Sequence, residues 1–189
     1  MKLKRFAFLV CAITVAFTSS SARAEPLSLG IEPLVGYELV RKLYPTEHSS
    51  KRIFYGGRMT LGILLISLEG EYTRGSNSET YDAQGITYKD TADRAKLGLR
   101  SGMRLSTLLK LYARAGGQAS RNKHEEIAGA DDYAIWEPIK VRPYAGAGFR
   151  VALSSKFAFT ADVVGVINDY HLLRNNEYQT TAGFVVRLP

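Results

Sequence analysis

Three histidines, a spaced pair of glutamates and an aspartate doublet are the side chains in this sequence best suited to chemistry. His48, His124 and His171 fall in three different segments that read as polar loops. They could share a metal only if three loops folded together, so no metal site is assigned. A serine hydrolase needs Ser, His and a carboxylate within hydrogen-bond reach. His171 is followed by Leu172, Leu173 and Arg174, and the chain has no Gly-x-Ser-x-Gly. Glu69 and Glu71 have the spacing of an acid–base pair on one strand face. The same face is rich in Arg and Lys, so they read as ion-pair partners. Asp131 and Asp132, beside Gly129, match no calcium-loop spacing. No catalytic residue and no cofactor is assigned, and the chain is expected not to be an enzyme.

The charges themselves follow a rule. From Ile139 every second residue is apolar: Val141, Pro143, Ala145, Ala147, Phe149, Val151 and Leu153. Between them stand Lys140, Arg142, Tyr144, Gly146, Gly148 and Arg150. Ser154, Ser155 and Lys156 form a turn, and the alternation resumes through Phe157, Phe159, Ala161, Val163 and Ile167 against Thr160 and Asp162. A period of two, twice over, is a long β-hairpin. The same pattern predicts strands over about 29–41, 52–63, 64–73, 94–105, 109–120 and 177–188, eight in all. Long polar connections, among them 75–91 and 121–138, alternate with short turns near residues 63, 106 and 155. Every long connection therefore falls at one end.

Cleavage and compartment are read at the N-terminus. Lys2, Lys4 and Arg5 precede an apolar run from Phe6 to Phe17, and Ala22-Arg23-Ala24 gives an A-x-A site. This is a Sec-type signal peptide over 1–24, followed by one domain over 25–189. Cys11, the single cysteine, goes with it, which leaves no thiolate or disulfide chemistry. Removing the leader's four cations from the formal charge of +7 leaves +3. The remaining charges alternate along strands and form no dense basic run, so nucleic acid is not expected as a partner. No window beyond the leader is apolar enough for a transmembrane helix.

Charged alternation over long strands with one-sided loops is the pattern of a membrane barrel, with apolar residues toward lipid and polar ones toward the lumen. This places Glu32, Glu38, Arg58, Glu69, Glu71, Lys96, Arg100, Arg104, Lys110, Arg114, Arg142, Arg150 and Asp162 in a lumenal charge network, together with Arg94, Lys140, Glu177 and Arg187. Inward glycines such as Gly36, Gly98, Gly116 and Gly148 are expected to make room for long Arg side chains. Tyr37, Tyr55, Tyr72, Tyr178 and Trp136 toward the long-loop end, and Phe157, Phe159 and Phe184 toward the other, are expected to form aromatic girdles. Pro33 and Pro143 lie within strands and require bulges or strand ends.

From Leu29 to Pro189 the chain resembles the small eight-stranded outer-membrane barrels of Gram-negative bacteria, the OmpA/OmpX-like group. The resemblance rests on the signal peptide, the eight alternating strands, the loop asymmetry and the amphipathic last strand. It departs at the C-terminus, where Arg187-Leu188-Pro189 stands in place of a terminal aromatic. It implies an all-β, antiparallel up-and-down transmembrane barrel in the outer membrane. It further implies a monomer in contact with outer-membrane lipid, inserted by the barrel-assembly machinery with periplasmic chaperones. The expected function is a structural anchor with surface-exposed interaction loops, whose ligand is unknown. The alternatives are a narrow channel or ligand-binding barrel and, behind these, a lipid-modifying enzyme.

Overall fold

The computed structural model describes residues 28–42, 48–63, 65–81, 86–128, 131–168 and 176–188. The leader and the A-x-A site lie outside the described residues. Among the described residues, nine strands are present: β1 (Ser28–Lys42), β2 (His48–Gly62), β3 (Ile66–Tyr81), β4 (Ile86–Arg104), β5 (Leu109–Ala128), β6 (Asp131–Trp136), β7 (Lys140–Ala152), β8 (Phe157–Val166) and β9 (Glu177–Leu188). Each pairs antiparallel with its neighbour, and β1 pairs with β9, so the sheet closes on itself. A closed sheet has no free edge, which is what a strand-built membrane span requires.

β6 is not a ninth stave. The lower part of β5 pairs with β7, from Leu109↔Val151 to Ser120↔Lys140. Its upper part pairs with β6, from Lys123↔Trp136 to Ala128↔Asp131. Between these ladders, two residues of β5 (Arg121 and Asn122) face three of the partner (Glu137, Pro138 and Ile139). That is a β-bulge, clamped by the Glu137 amide donating to the Asn122 carbonyl at 2.9 Å. The barrel thus has eight staves, with β6 and β7 together forming one.

Segments 75–91 and 121–138 are not the polar loops expected from composition. β3 and β4 stay paired from Ile66↔Ser101 to Tyr81↔Ile86. β4 continues with β5 up to Thr87↔Ile127. Ladder hydrogen bonds between neighbours, rather than apolar alternation, carry these strands past the apolar outer band. At 20 residues, β5 is roughly 65 Å long, against an apolar band only about 25 Å tall. Pairing of β2 with β3 stops at Ile53↔Ser76. Above that row, β3–β4–β5–β6 therefore forms an open four-stranded sheet rising from the rim.

Two of the three short turns, near residues 106 and 155, sit where the polar residues predicted them. Ser106 Oγ accepts from the amides of Leu108 and Leu109, and Ser154 Oγ accepts from those of Lys156 and Phe157. Both are serine-closed turns of the same design. The two prolines are accommodated differently. β1 pairs with β2 without a break, but its ladder to β9 skips Glu32 and Pro33. Pro143 lies opposite the end of β8, where its carbonyl accepts from Ile167 N at 2.9 Å.

Candidate functional site

The lumen is where the polar side chains converge, and strand alternation puts them there. Register lays Glu32, Arg58, Glu71 and Lys96 directly beside one another across β1 to β4. Charge therefore alternates along that row, the favourable cross-strand arrangement. Arg58 and Arg114 are the hubs. Arg58 lies 2.8 Å from Glu32, 2.7 Å from Glu71 and 2.9 Å from Asp162. Its Nη2 also donates to Thr181 Oγ1 at 3.4 Å. Arg114 reaches Glu69 at 2.6 Å, Glu71 at 2.8 Å and Asp162 at 3.1 Å. Lys96 donates to Glu71 at 2.6 Å and Arg100 to Glu69 at 3.0 Å. Tyr112 donates to Asp162 and Tyr144 to Glu69, both at 2.9 Å, while the Thr160 hydroxyl donates to Glu32.

All eight staves contribute, and every one of these charged groups is buried. Buried cations and anions are tolerated when their remaining donors and acceptors are satisfied; stripping one partner leaves an uncompensated charge. Cation–π stacking adds to the filling. Arg100 lies 4.2 Å over the Tyr112 ring and Arg114 lies 5.3 Å over that of Tyr144. One level up, Glu38 takes both Arg52 and Arg94. A Gln179–Gln118 hydrogen bond of 3.3 Å crosses the same region.

The structure brings together ten of the expected lumen residues in this manner: Glu32, Glu38, Arg58, Glu69, Glu71, Arg94, Lys96, Arg100, Arg114 and Asp162. Arg142 instead pairs with Glu177 at 2.8 Å toward the long-loop end. Arg104, Lys110 and Arg150 line the opposite mouth. Arg52, Tyr112, Tyr144 and Thr160 were not anticipated as members. The signal for them was available, since all four occupy the same alternate positions as the charges. The glycines need a different account from the one expected. A Cβ at Gly36 would lie 2.1 Å from the Phe54 ring, one at Gly98 2.3 Å from Tyr144 Oη, and one at Gly148 2.8 Å from Tyr112 Cζ. These positions accommodate aromatic plates rather than arginines.

The exterior is apolar across the middle. Val35, Tyr55, Met59, Tyr72, Leu97 and Val163 are each more than half exposed. Tyr37, Phe157, Tyr178 and Phe184 also point outward, and Phe149, Phe159 and Phe184 form a ladder with ring centroids 6.4 and 5.5 Å apart. Trp136 stands two outward positions above the row of Tyr72, stacked under Arg121 at 4.4 Å and Lys123 at 5.6 Å. Close to it the surface turns polar. Tyr72 donates to Asp93 at 2.9 Å, Arg74 lies 3.7 Å from Asp93, and Lys89 lies 3.5 Å from Glu125.

Of the histidines, His124 lies on β5 rather than in a loop. Its Nδ1 is 2.5 Å from Asp90 and its Nε2 is 3.2 Å from Glu137. Glu137 also accepts from Lys140 at 2.8 Å and from Asn122 at 3.0 Å. The Lys140 hydrogen bond foremost, then those of His124 and Asn122, hold its carboxyl below the usual range. The side chains of His48, His171, Asp131 and Asp132 lie outside those described. Among the described residues, no group of three or more His, Asp or Glu side chains is arranged to hold a metal.

No family model matches the chain, and no curated protein matches it in sequence. Solved structures do. Neisserial surface protein A superposes with a TM-score of 0.58 at 15% identity, covering 86% of this chain and 99% of that one. Ail, the attachment invasion locus protein of Yersinia pestis, gives 0.56 at 12% identity over 87% and 99%. The N-terminal β-barrel domain of Pseudomonas aeruginosa OprF gives 0.56 at 15% over 85% and 97%. A closed antiparallel sheet of eight staves with a charged, filled lumen and an apolar exterior is thus the fold of the small eight-stranded outer-membrane β-barrels.

Proposed function

We propose that the chain is an outer-membrane protein whose barrel anchors the open β3–β4–β5–β6 sheet at the cell surface, with no catalytic role. The observation that carries this reading is the separation of environments. An apolar, aromatic-flanked exterior surrounds a lumen packed with ion pairs, and hydrogen-bonded strands continue well beyond it. Arg or Lys facing lipid costs roughly 2–4 kcal/mol at the midplane, so the sorting of these charges to the inside favours a lipid-facing wall. The carboxylates best placed for acid–base work, Glu69 and Glu71, are each held by two or more cations. That favours filling over catalysis. Lipid at the barrel wall and the assembly machinery that inserts such barrels are the partners this reading requires.

Expression in a Gram-negative host tests it. The chain should fractionate with the outer membrane and migrate differently on gels before and after boiling. A cysteine introduced as Ser78→Cys on the extension should react with a membrane-impermeant maleimide on intact cells. Recovery in the soluble periplasmic fraction, without heat-modifiable migration, would overturn the reading.

A further inference from the structure

The outer face of the extension changes character at the level of the upper aromatic residues. Tyr55 stands directly opposite Arg74, Arg74 opposite Asp93, and Asp93 opposite Arg121. Two residues higher Lys123 faces Trp136, and above them Lys89 faces Glu125. Alternation puts all four cations on the outward side, the side of Tyr72 and Trp136. They share two carboxylates. Asp93 lies 3.7 Å from Arg74 and accepts from the Tyr72 hydroxyl, while Glu125 lies 3.5 Å from Lys89 and also takes Lys123. Among the described residues, Arg121 has no carboxylate within ion-pair distance; its guanidinium lies 4.4 Å over the Trp136 ring instead. Stacking occupies the face of a guanidinium and leaves the N–H fork along its edge available. The excess of cations is one-sided. The opposite face of the same strands carries Asp90 and Glu126 on either side of His124.

We propose that this outward strip binds the phosphate of an anionic lipid headgroup at the barrel's rim, an inference that rests on the membrane reading above. Interfacial aromatic rings sit at headgroup level. Cations interleaved with Tyr55 and Trp136 therefore stand at the depth of lipid phosphates, directly above the apolar band. Arg supplies paired N–H donors matched to phosphate oxygens, and Lys adds point charge. Clustered Arg and Lys beside a membrane surface select anionic over zwitterionic lipid. The side chains of Arg74 and Lys89 are about half exposed. Their long, solvated ion pairs contribute little and exchange readily for a phosphate. Arg121, held by its ring contact, is the pre-positioned member.

Trp136 is the chain's single tryptophan, so its fluorescence reports on this strip. The mature chain is refolded in mixed vesicles of phosphatidylcholine and phosphatidylglycerol, with one lipid or the other brominated to quench tryptophan on contact. At low salt, phosphatidylglycerol should be preferred beside Trp136 by about fivefold or more. Arg121→Gln with Lys123→Gln should abolish the preference, and Arg74→Gln with Lys89→Gln should reduce it. Asp93→Asn, which removes a competing carboxylate, should strengthen it. Arg142→Gln, paired with Glu177 away from the strip, should leave it unchanged, and salt at about 1 M should weaken it. Each value is a ratio of two lipids within one variant, so altered intrinsic emission cancels. A heat-modifiable barrel quenched equally by both lipids, or a preference that survives Arg121→Gln with Lys123→Gln, overturns this proposal alone. Failure to form a heat-modifiable barrel in any vesicle overturns the membrane reading and the proposal with it.

Discussion

Replacing Arg58 by methionine removes the cation that touches three carboxylates at once, and the structure says which loss matters. Glu71 keeps Lys96 at 2.6 Å and Arg114 at 2.8 Å, and Asp162 keeps Arg114 at 3.1 Å and Tyr112 at 2.9 Å. Glu32 keeps only the Thr160 hydroxyl and Arg100 at 3.9 Å, and its Oε2 already has no hydrogen-bond partner. Breaking a buried pair by removing one partner costs about 3–5 kcal/mol. At roughly 2–4 °C per kcal/mol for a chain of this size, the midpoint of heat-modifiable migration should fall by about 10 °C. Because the cost resides at Glu32, adding Glu32→Gln should recover much of it. Adding Glu71→Gln should instead deepen it, since Lys96 then loses its carboxylate. Single, double and reference barrels would be compared by gel shift after graded heating. Equal rescue by both second changes, or an Arg58→Met midpoint within 2 °C of the parent, would refute the assignment of Arg58 as the hub that neutralises Glu32.

Val163→Arg, which sets a cation on the exposed apolar wall, should cost roughly 2–4 kcal/mol and impair insertion into vesicles; Ser78→Arg, on the extension, should insert normally. Eight staves leave a lumen only wide enough for side chains, so the parent barrel should show no conductance above background in planar bilayers. Arg58→Ala with Arg114→Ala should produce measurable conductance. At the bulge, Glu137 is more acidic folded than unfolded. Its contribution is therefore present above the ordinary carboxylate range near pH 4.3 and lost as pH falls below it. Amide protection factors in β6 and the upper part of β5, taken relative to the intrinsic exchange rate at each pH, should fall at pH 3 relative to pH 7, and Glu137→Gln should reduce that fall.

Most of the barrel was legible because burial in a two-sided sheet leaves a period-two signature. The alternation around Phe149 or Leu97 reports an apolar exterior on one side and the lumen that holds Arg58 and Glu71 on the other. Turns at Ser106 and Ser154 were legible because a hydroxyl two or three residues ahead of an amide closes them locally. The extension was not. Asn77, Ser78, Lys89, Asn122 and His124 are polar on both faces, so no periodicity marks them, and only pairing with a neighbouring strand makes them β. Membership of Tyr112 and Tyr144 in the network was hidden for another reason. Their rings lie over glycines one or two staves away, Gly148 for Tyr112 and Gly98 for Tyr144, a contact that register reveals and composition does not.

The bulge at Glu137–Ile139 has a consequence for how such a protein can change. Three residues facing two invert the inside–outside frame, so even-numbered residues point outward at Trp136 and inward at Lys140. The hairpin above is therefore in a different frame from the stave below. An insertion or deletion beyond the bulge would alter what the extension presents without shifting any lumenal side chain out of its row. The barrel and its display surface can diverge as separate modules joined at a single stitched residue.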